Sequence, residues 1–414
     1  MAPCVIVPTF WTKKRESQLE DLLVTYSHPT SVDEDGPLPE CLESLERTCG
    51  ACTIIVLVAS TDRSIEVRAE ERVLSILREF PTLDFLVFGP AELGSLHRRL
   101  EQVGFEDMVA GATLVGYGAV RNAGLIVAAT LEADTVLFID DDQIVTDEDF
   151  LEKALYGLGK RTQKGTPVLA KTGYYVDREG AARVPDPSAW TDAFWPQVAS
   201  YNRTLERMLQ PPRLRKSPLA FGGCLALHRD VYCNVAFDPW VVRGEDIDYV
   251  VNLMMHGKDV FLDNAWSVVH APPPTSRKSL GFRQDVYRFV YEHRKIEFAK
   301  SQVDLRPISP RALSPYPGEF IRGGIGWRAF ATGLLRALAG SESREYLRAA
   351  REALTVAPAY AREHCRDYFE FQRRWPALME RVWGDEPLRS LFTGERRMDK
   401  AALTGRITKP DAPE

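Results

Sequence analysis

Thr135-Val136-Leu137-Phe138-Ile139-Asp140-Asp141-Asp142 is a short β-branched, apolar run that ends in three consecutive carboxylates. An unbroken apolar run of this length reads as a strand buried on both faces. The carboxylates then sit at its carboxyl end, where open α/β sheets hold their ligands. Just upstream, Val120, Ala123, Gly124, Val127, Ala128 and Leu131 recur at helical spacing between Tyr117 and Ala133, which predicts a helix covering the sheet.

Working outward, Val5-Ile6-Val7, Ile54 to Val58 and Phe85 to Phe88 are further apolar runs separated by helical patterns. This alternation is the signature of an α/β protein with a mostly parallel sheet and crossover helices. The segment from Val184 to Pro218, with its prolines and aromatics, reads as loops and insertions, in which Trp190, Trp195 and Tyr201 offer either a stacking platform for a ligand ring or core. Phe221 to Leu227 reads as a strand, Glu245 to Met255 as a helix closed at Gly257, and Val260-Phe261-Leu262 and Ser267-Val268-Val269 as a strand pair. Beyond about Arg283 the pattern is helical and rich in Arg, Glu, Ala and Leu. Two parts are expected, a catalytic domain over 1–282 and a helical extension over 283–414 packed against it.

Three adjacent carboxylates repel one another unless a cation neutralises them. In extended chain, residues i and i+2 face the same side, so Asp140 and Asp142 can face one ion while Asp141 points away. Hard oxygen ligands suit Mg²⁺ or Mn²⁺, which commonly bridge carboxylates to a diphosphate. The alternative is a solvated acidic turn with Asp142 capping the helix near Asp147.

Gly116-Tyr117-Gly118-Ala119-Val120-Arg121-Asn122-Ala123-Gly124, followed by the helix, the strand and Asp140-Asp141-Asp142, resembles the family 2 glycosyltransferases and their GT-A relatives. Val5-Ile6-Val7-Pro8-Thr9-Phe10 is similar to that family's first strand, with Trp11 in place of the usual polar residue, and the resemblance extends to about His270. It implies a GT-A, Rossmann-like sheet whose donor half spans about 1–145 and whose acceptor half spans about 146–282. It also implies a nucleotide-diphosphate sugar donor, a metal on Asp140 and Asp142, and donor contacts from Thr9, Asp62, Arg121 and Asp141. A guanidinium beside a diphosphate gains bidentate, charge-assisted bonds, which suits Arg121 on physical grounds as well.

Arg243-Gly244-Glu245-Asp246-Ile247-Asp248 opens a helix, where acidic residues are favoured by the helix dipole whatever their chemistry. The same resemblance makes Glu245-Asp246 the acidic element of the inverting enzymes, with Asp246 as the base that deprotonates the acceptor hydroxyl. Asp248 then binds acceptor or caps the helix. His270, at the end of a strand, is implied as the third metal ligand. Arg277-Lys278, beyond it, would close over the diphosphate.

Composition narrows the partners. Among 414 residues, 58 acidic side chains outnumber 52 basic ones, and the arginines form no block, so a nucleic-acid partner is not expected. No apolar run reaches membrane-spanning length and no leader pattern is present, so a cytosolic enzyme with a small-molecule or oligosaccharide acceptor is expected. Seven cysteines without regular spacing do not form a disulfide framework. Cys49-Gly50-Ala51-Cys52 reads as two small semi-buried residues at a strand entrance. Three rival readings remain. One is a retaining GT-A enzyme with a glycerate or phosphoglycerate acceptor, in which Glu245 and Asp246 bind hydroxyls. Another is a sugar nucleotidyltransferase, for which Pro8 to Arg15 lacks the glycines of a phosphate loop. The third is a degenerate binding module.

Overall fold

The computed structural model describes residues 3–13, 26, 29–50, 52–185, 189–270, 278–340, 342–394 and 397–398. Lys14, Arg15 and Arg277 lie outside the described residues. Eleven strands form one mixed sheet: β1 (Cys4–Thr12), β2 (Thr30–Ser31), β3 (Thr53–Ser60), β4 (Asp84–Phe88), β5 (Thr135–Phe138), β6 (Gln143–Ile144), β7 (Ala170–Val176), β8 (Leu214–Lys216), β9 (Leu225–His228), β10 (Val260–His270) and β11 (Arg397–Met398). Their order is β11-β4-β3-β1-β5-β9-β7-β10-β6, with β2 on β1 and β8 on β10. β4, β3, β1 and β5 run parallel, β9 runs against both β5 and β7, and β7 and β10 are parallel again.

The helices are α1 (Leu38–Thr48), α2 (Glu66–Leu77), α3 (Pro90–Gln102), α4 (Tyr117–Thr130), α5 (Phe150–Leu155), α6 (Gln197–Met208), α7 (Arg229–Tyr232), α8 (Glu245–Met255), α9 (Lys278–Ala299), α10 (Ile325–Ala339), α11 (Ser343–Leu354), α12 (Val356–Val382) and α13 (Glu386–Gly394). Strand alternation distributes the central residues between two cores. Val5, Val7, Ile54, Val56 and Val58 face one core with α1 and α2, while Ile6, Ile55 and Leu57 face the other with α3 and α4. That is why the central strands read as unbroken apolar runs.

Every residue of α4 except Tyr117 is buried, because the sheet covers one side and α12 and α13 cover the other. A helix with so few polar residues, Arg121 and Asn122 among them both met by protein groups, belongs in an interior, so the covering helix expected from the spacing is a sandwiched one. Gly124 lets it lie close to the sheet, since a Cβ there would stand 3.0 Å from Ile6 Cγ2 and Leu57 Cδ1.

Four expectations are corrected. The strand expected from Phe221 starts at Leu225, and Phe221-Gly222-Gly223 is a turn. The expected strand pair is the single strand β10, whose register shifts between Leu262 and Ser267. Asp263 and Asn264 interrupt the apolar pattern there, yet Asp263 is fully buried, neutralised by Lys171 Nζ at 3.0 Å and Arg213 Nε at 2.8 Å. The loops expected between Val184 and Pro218 contain α6, whose buried residues include Ser200, Asn202 and Thr204, a polar set that hides the helical stripe. Finally, the boundary expected at 283 falls inside α9.

The C-terminal helices complete both cores instead of lying on them. α12 gives Tyr368 and Phe369 to one core and Phe371, Trp375, Leu378 and Met379 to the other. α9 ties the tail to α8 through charge: Lys295 Nζ donates to Asp238 Oδ2 at 2.7 Å and to both oxygens of Asp248 at 2.6 and 2.7 Å, with all three side chains fully buried. Asp248 is thereby committed to structure and is not free to bind acceptor. Removing one partner of a buried ion pair leaves an uncompensated charge. Lys295→Ala, and Lys295→Met equally, should therefore cost about 3–5 kcal/mol in urea denaturation; a loss below about 1 kcal/mol would show that the network contributes little.

Candidate functional site

A cavity of about 330 Å³ opens at the carboxyl ends of β1 and β5 and the amino end of α8. Asp140, Asp141, Asp142 and His270 line one side of its wall, and Glu245 and Asp246 also line it. Arg121, one turn into α4, is 4% exposed and joins these groups. Its Nε donates to Glu245 Oε1 at 2.8 Å, its Nη1 to the Gly222 carbonyl at 3.0 Å, and its Nη2 to Asp140 Oδ1 at 3.1 Å. The guanidinium also lies 4.9 Å from the centre of the Phe138 ring. It lines the cavity, but three of its N–H directions are spent on protein, so its first role is to hold Asp140 and Glu245 in place. Gly222 is required beside it, since a Cβ would lie 2.4 Å from Arg121 Nη2. Asn122, the next residue, pins α4 by donating to the Gly111 and Phe237 carbonyls and accepting from the Phe237 amide.

The acidic triplet does not divide as the i, i+2 argument expects: Asp141 and Asp142 lie in a turn closed by the Gln143 amide on the Asp140 carbonyl, all three line the cavity, and Asp140 faces Arg121. His270 Nε2 stands 3.3 Å from Asp142 Oδ2, and Asp142 Oδ1 is buried with no hydrogen-bond partner. Burial drives the Asp141 carboxyl well above the usual carboxylate range and Asp142 adds to this, against the opposing pull of Thr9 and the Phe10 amide. Thr9 is fully buried beneath Asp141, so its side chain does not face the cavity. Asp140 is also raised, by burial first, with Arg121 opposing. An orphaned buried carboxylate oxygen next to an imidazole fits a hard divalent cation, because such a lone pair is costly unless a cation or donor meets it. Among the described residues, however, no three His, Cys, Asp or Glu side chains converge on one point, since Asp140 is turned onto Arg121.

Asp246 accepts from the Gly222 amide at 3.0 Å and the Ile247 amide at 2.7 Å. Burial, then the charge of Glu245, push its carboxyl up to about 6, against Arg288 and Arg121. Gly244 permits the approach of its neighbour: it has φ +69°, and a Cβ would lie 2.2 Å from Arg288 Nη1. Asp62 is placed elsewhere. It is exposed at the end of β3, caps the short helical turn Arg63–Ile65 through the Ser64 amide, and accepts from Lys13 Nζ at 3.0 Å. These donors, Ser64 first, hold it down at about 2.

Several groups carried no sequence signal. The Tyr175 ring lies against His270, tilted by 36° with ring centres 4.6 Å apart, and its hydroxyl accepts from the Gly223 amide. Phe10, Tyr26 and Tyr117 form an aromatic corner of the cavity, with Phe10 and Tyr26 centred 4.0 Å apart. Arg288, from α9, lines the wall near Gly244 with its buried Nη2 unpartnered. Of the aromatics between Val184 and Pro218, Tyr201 lines the cavity, whereas Trp195 is core against Phe282 and Phe320, and Trp190 is exposed against Phe194. Cys49 and Cys52 are both buried at the entrance to β3, and all seven cysteines are unpaired.

No protein-family profile and no curated protein sequence matches the chain. Its structure is similar to that of a mannosyltransferase from Pyrobaculum calidifontis in complex with GDP-Man and Mn²⁺, at 16% identity and TM-score 0.42, covering 95% of this chain and 89% of that one. It is also similar to glucosyl-3-phosphoglycerate synthase from Mycobacterium tuberculosis in complex with Mn²⁺ and UDP-Glc, at 16% identity and TM-score 0.35, covering 70% and 79%.

The clamp predicts a specific stability phenotype. Arg121→Met leaves the buried Glu245 and the part-buried Asp140 without their counter-charge and should destabilise the chain by about 3–5 kcal/mol near neutral pH. A carboxyl raised in the folded state penalises folding only where it is ionised. The deficit relative to the parent should therefore shrink as pH falls, and denaturation at neutral and mildly acidic pH reads this. A deficit independent of pH would mean that packing, not charge, is what Arg121 supplies.

Proposed function

We propose that the chain is a metal-dependent GT-A glycosyltransferase that moves a hexosyl group from a nucleoside-diphosphate sugar to an acceptor hydroxyl, with inversion at the anomeric carbon. The observation that carries this reading is that one cavity gathers Asp142 and His270, with an orphaned carboxylate oxygen, and a separate carboxylate, Asp246, raised into the range of a working base. Sugar transfer needs both, one for the departing diphosphate and one for the incoming hydroxyl.

Asp142 and His270, with Asp140 once released from Arg121, would hold Mn²⁺ or Mg²⁺. The ion supplies neutralisation of the charge that grows on the leaving diphosphate. Asp246 accepts the acceptor's proton. Its two backbone donors fix the carboxylate in place, and a proton affinity near neutrality leaves it ionised at physiological pH while still basic enough to take a proton. Glu245, held by Arg121, shapes the floor and adds negative charge beside Asp246. Phe10, Tyr26 and Tyr117 offer the nucleoside base an aromatic corner, and Tyr201 offers the acceptor a ring. Asp62 and Lys13, at the ends of β3 and β1, are within the donor half and extend the nucleotide's contacts beyond the cavity. Among the described residues no helix is long and apolar enough to cross a membrane. We infer a small-molecule or oligosaccharide acceptor met in the cytosol.

The donor test is thermal unfolding against a panel of nucleotide sugars with and without Mn²⁺ or Mg²⁺, since a ligand bound only by the folded state raises Tm, by about 2.7 kcal/mol of stability at a hundredfold excess over Kd. One donor should give a metal-dependent shift that Asp142→Ala abolishes. No shift with any donor would move the reading to a nucleotidyltransferase or a degenerate module.

The base test is Asp246→Asn. It should keep the donor-induced Tm shift and lower kcat by about 10²- to 10⁴-fold. In the parent, kcat/KM should rise with pH through about 6 as Asp246 ionises, a limb the variant lacks. Nuclear magnetic resonance of the product should show an inverted anomeric centre; a retained one would reassign Asp246 to binding acceptor hydroxyls.

A further inference from the structure

The helical tail carries a second cavity, of about 350 Å³, between α9, the start of α10 and the junction of α11 with α12. Its lining is mostly apolar, including Val290, Ile325, Leu354 and Pro358. The charged groups on it are all basic: Arg294 and Arg362, with the His293 ring beside them, and among the described residues no carboxylate lines it. Arg294 Nε is buried and has no hydrogen-bond partner, whereas His293 Nδ1 is occupied by the Ile321 carbonyl at 3.0 Å. The nearby acid, Glu297, is bonded to Lys300 Nζ at 2.6 Å. The rim is open, because Gly323 and Gly324 have nothing within 4 Å of where a Cβ would stand.

Trp327 belongs both to this cavity and to the outer face of α10, and it is 67% exposed. Leu334 and Leu338, seven and eleven residues on, share that face at 36% and 86% exposure. Between Ile325 and Ala339 α10 contains no acidic residue, and exposed arginines at 322, 344 and 351 flank the patch, with Glu345 as the one exposed acid among them. An apolar helix face with an exposed Trp, rimmed by arginine, has the composition that lies in a bilayer interface. Cationic surroundings select acidic head groups over neutral ones.

We propose that α9 to α12 dock the protein peripherally on an anionic bilayer, with the Trp327-Leu334-Leu338 face in the interface and one lipid seated in the cavity, its chain on the apolar wall and its acidic head group on Arg294 and Arg362. The cavity volume falls in the range of small-ligand sites. This inference stands independently of the sugar chemistry proposed above.

The test is co-sedimentation of the full chain with vesicles of phosphatidylcholine alone and of phosphatidylcholine with phosphatidylglycerol in equal parts. The protein should pellet with the anionic vesicles only, and less so as salt is raised. Trp327→Ser and Leu338→Glu change exposed side chains and should each cut binding by about tenfold or more without lowering Tm. Arg294→Gln with Arg362→Gln should remove the preference for the acidic lipid. The proposal is overturned if the parent stays in the supernatant with both vesicles, or if the variants bind as the parent does. It is equally overturned if light scattering shows a concentration-dependent dimer that Leu338→Glu dissolves while vesicles capture nothing, because the face would then belong to a second copy of the chain.

Discussion

Arg121 ties together three pieces of chain that are distant in sequence: the carboxyl end of β5 at Asp140, the turn at Gly222, and the first turn of α8 at Glu245. Each bond is ordinary, but the group is almost without solvent, and a guanidinium taken out of water is tolerable only when its charge and donors are met. The same holds in reverse for the carboxylates. Asp140 and Glu245 on one cation, and Asp142 beside an imidazole, make up an acidic floor whose mutual repulsion needs positive partners. The arginine lets Asp140 and Glu245 sit side by side without being driven apart.

Much of this was legible in the chain, and for a definite reason. Strands buried on both faces admit few residue types, so β1, β3, β4 and β5 announce themselves, and a strand's end fixes where Asp140 to Asp142 must lie. Gly244 and Gly257 punctuate α8 because each takes a left-handed conformation that other residues resist. The polar interior was harder to read. β10 looked like two strands because Asp263 is a charge inside a strand, and nothing local reveals that Lys171 and Arg213 come to meet it. α6 was missed because serine, asparagine and threonine make up all of its buried residues but Leu205, and Asp248 looked available for ligand because its partner Lys295 lies 47 residues away. Pairings between distant side chains carry no periodicity, so the sequence shows the groups but not their partners. Arg121 shows the same limit. Its residue type and position pointed to a charged partner, and the partner that the fold supplies is the protein's own pair of carboxylates.

Asp246 illustrates how two opposing fields set one chemical property. The first turn of a helix, with two backbone N–H groups aimed at the carboxylate, favours its charged form. Desolvation in the cavity wall and the adjacent Glu245 favour the neutral one and outweigh the N–H groups, which leaves the carboxyl at about 6. Arg288 restrains that rise, and Arg288 comes from the tail.

That last contact decides how the tail should be regarded. α9 gives Arg288 to the cavity wall and Lys295 to the acid at the heart of α8, while α12 closes the far side of α4, from which Arg121 projects. A chain that ended at residue 282 would leave Asp238 and Asp248 buried without their cation and expose the outer surface of α4, a helix buried at every residue but Tyr117. The tail is therefore part of the machine that positions the acids. The same helices turn a Trp- and Leu-bearing face outward, and α9 lines both cavities, with Val290 and Arg294 at one and Arg288 at the other. Residues so close on one helix share one support, so the wall that carries Arg294 and the wall that carries Arg288, whose charge restrains the rise of the Asp246 carboxyl, are built from a single element.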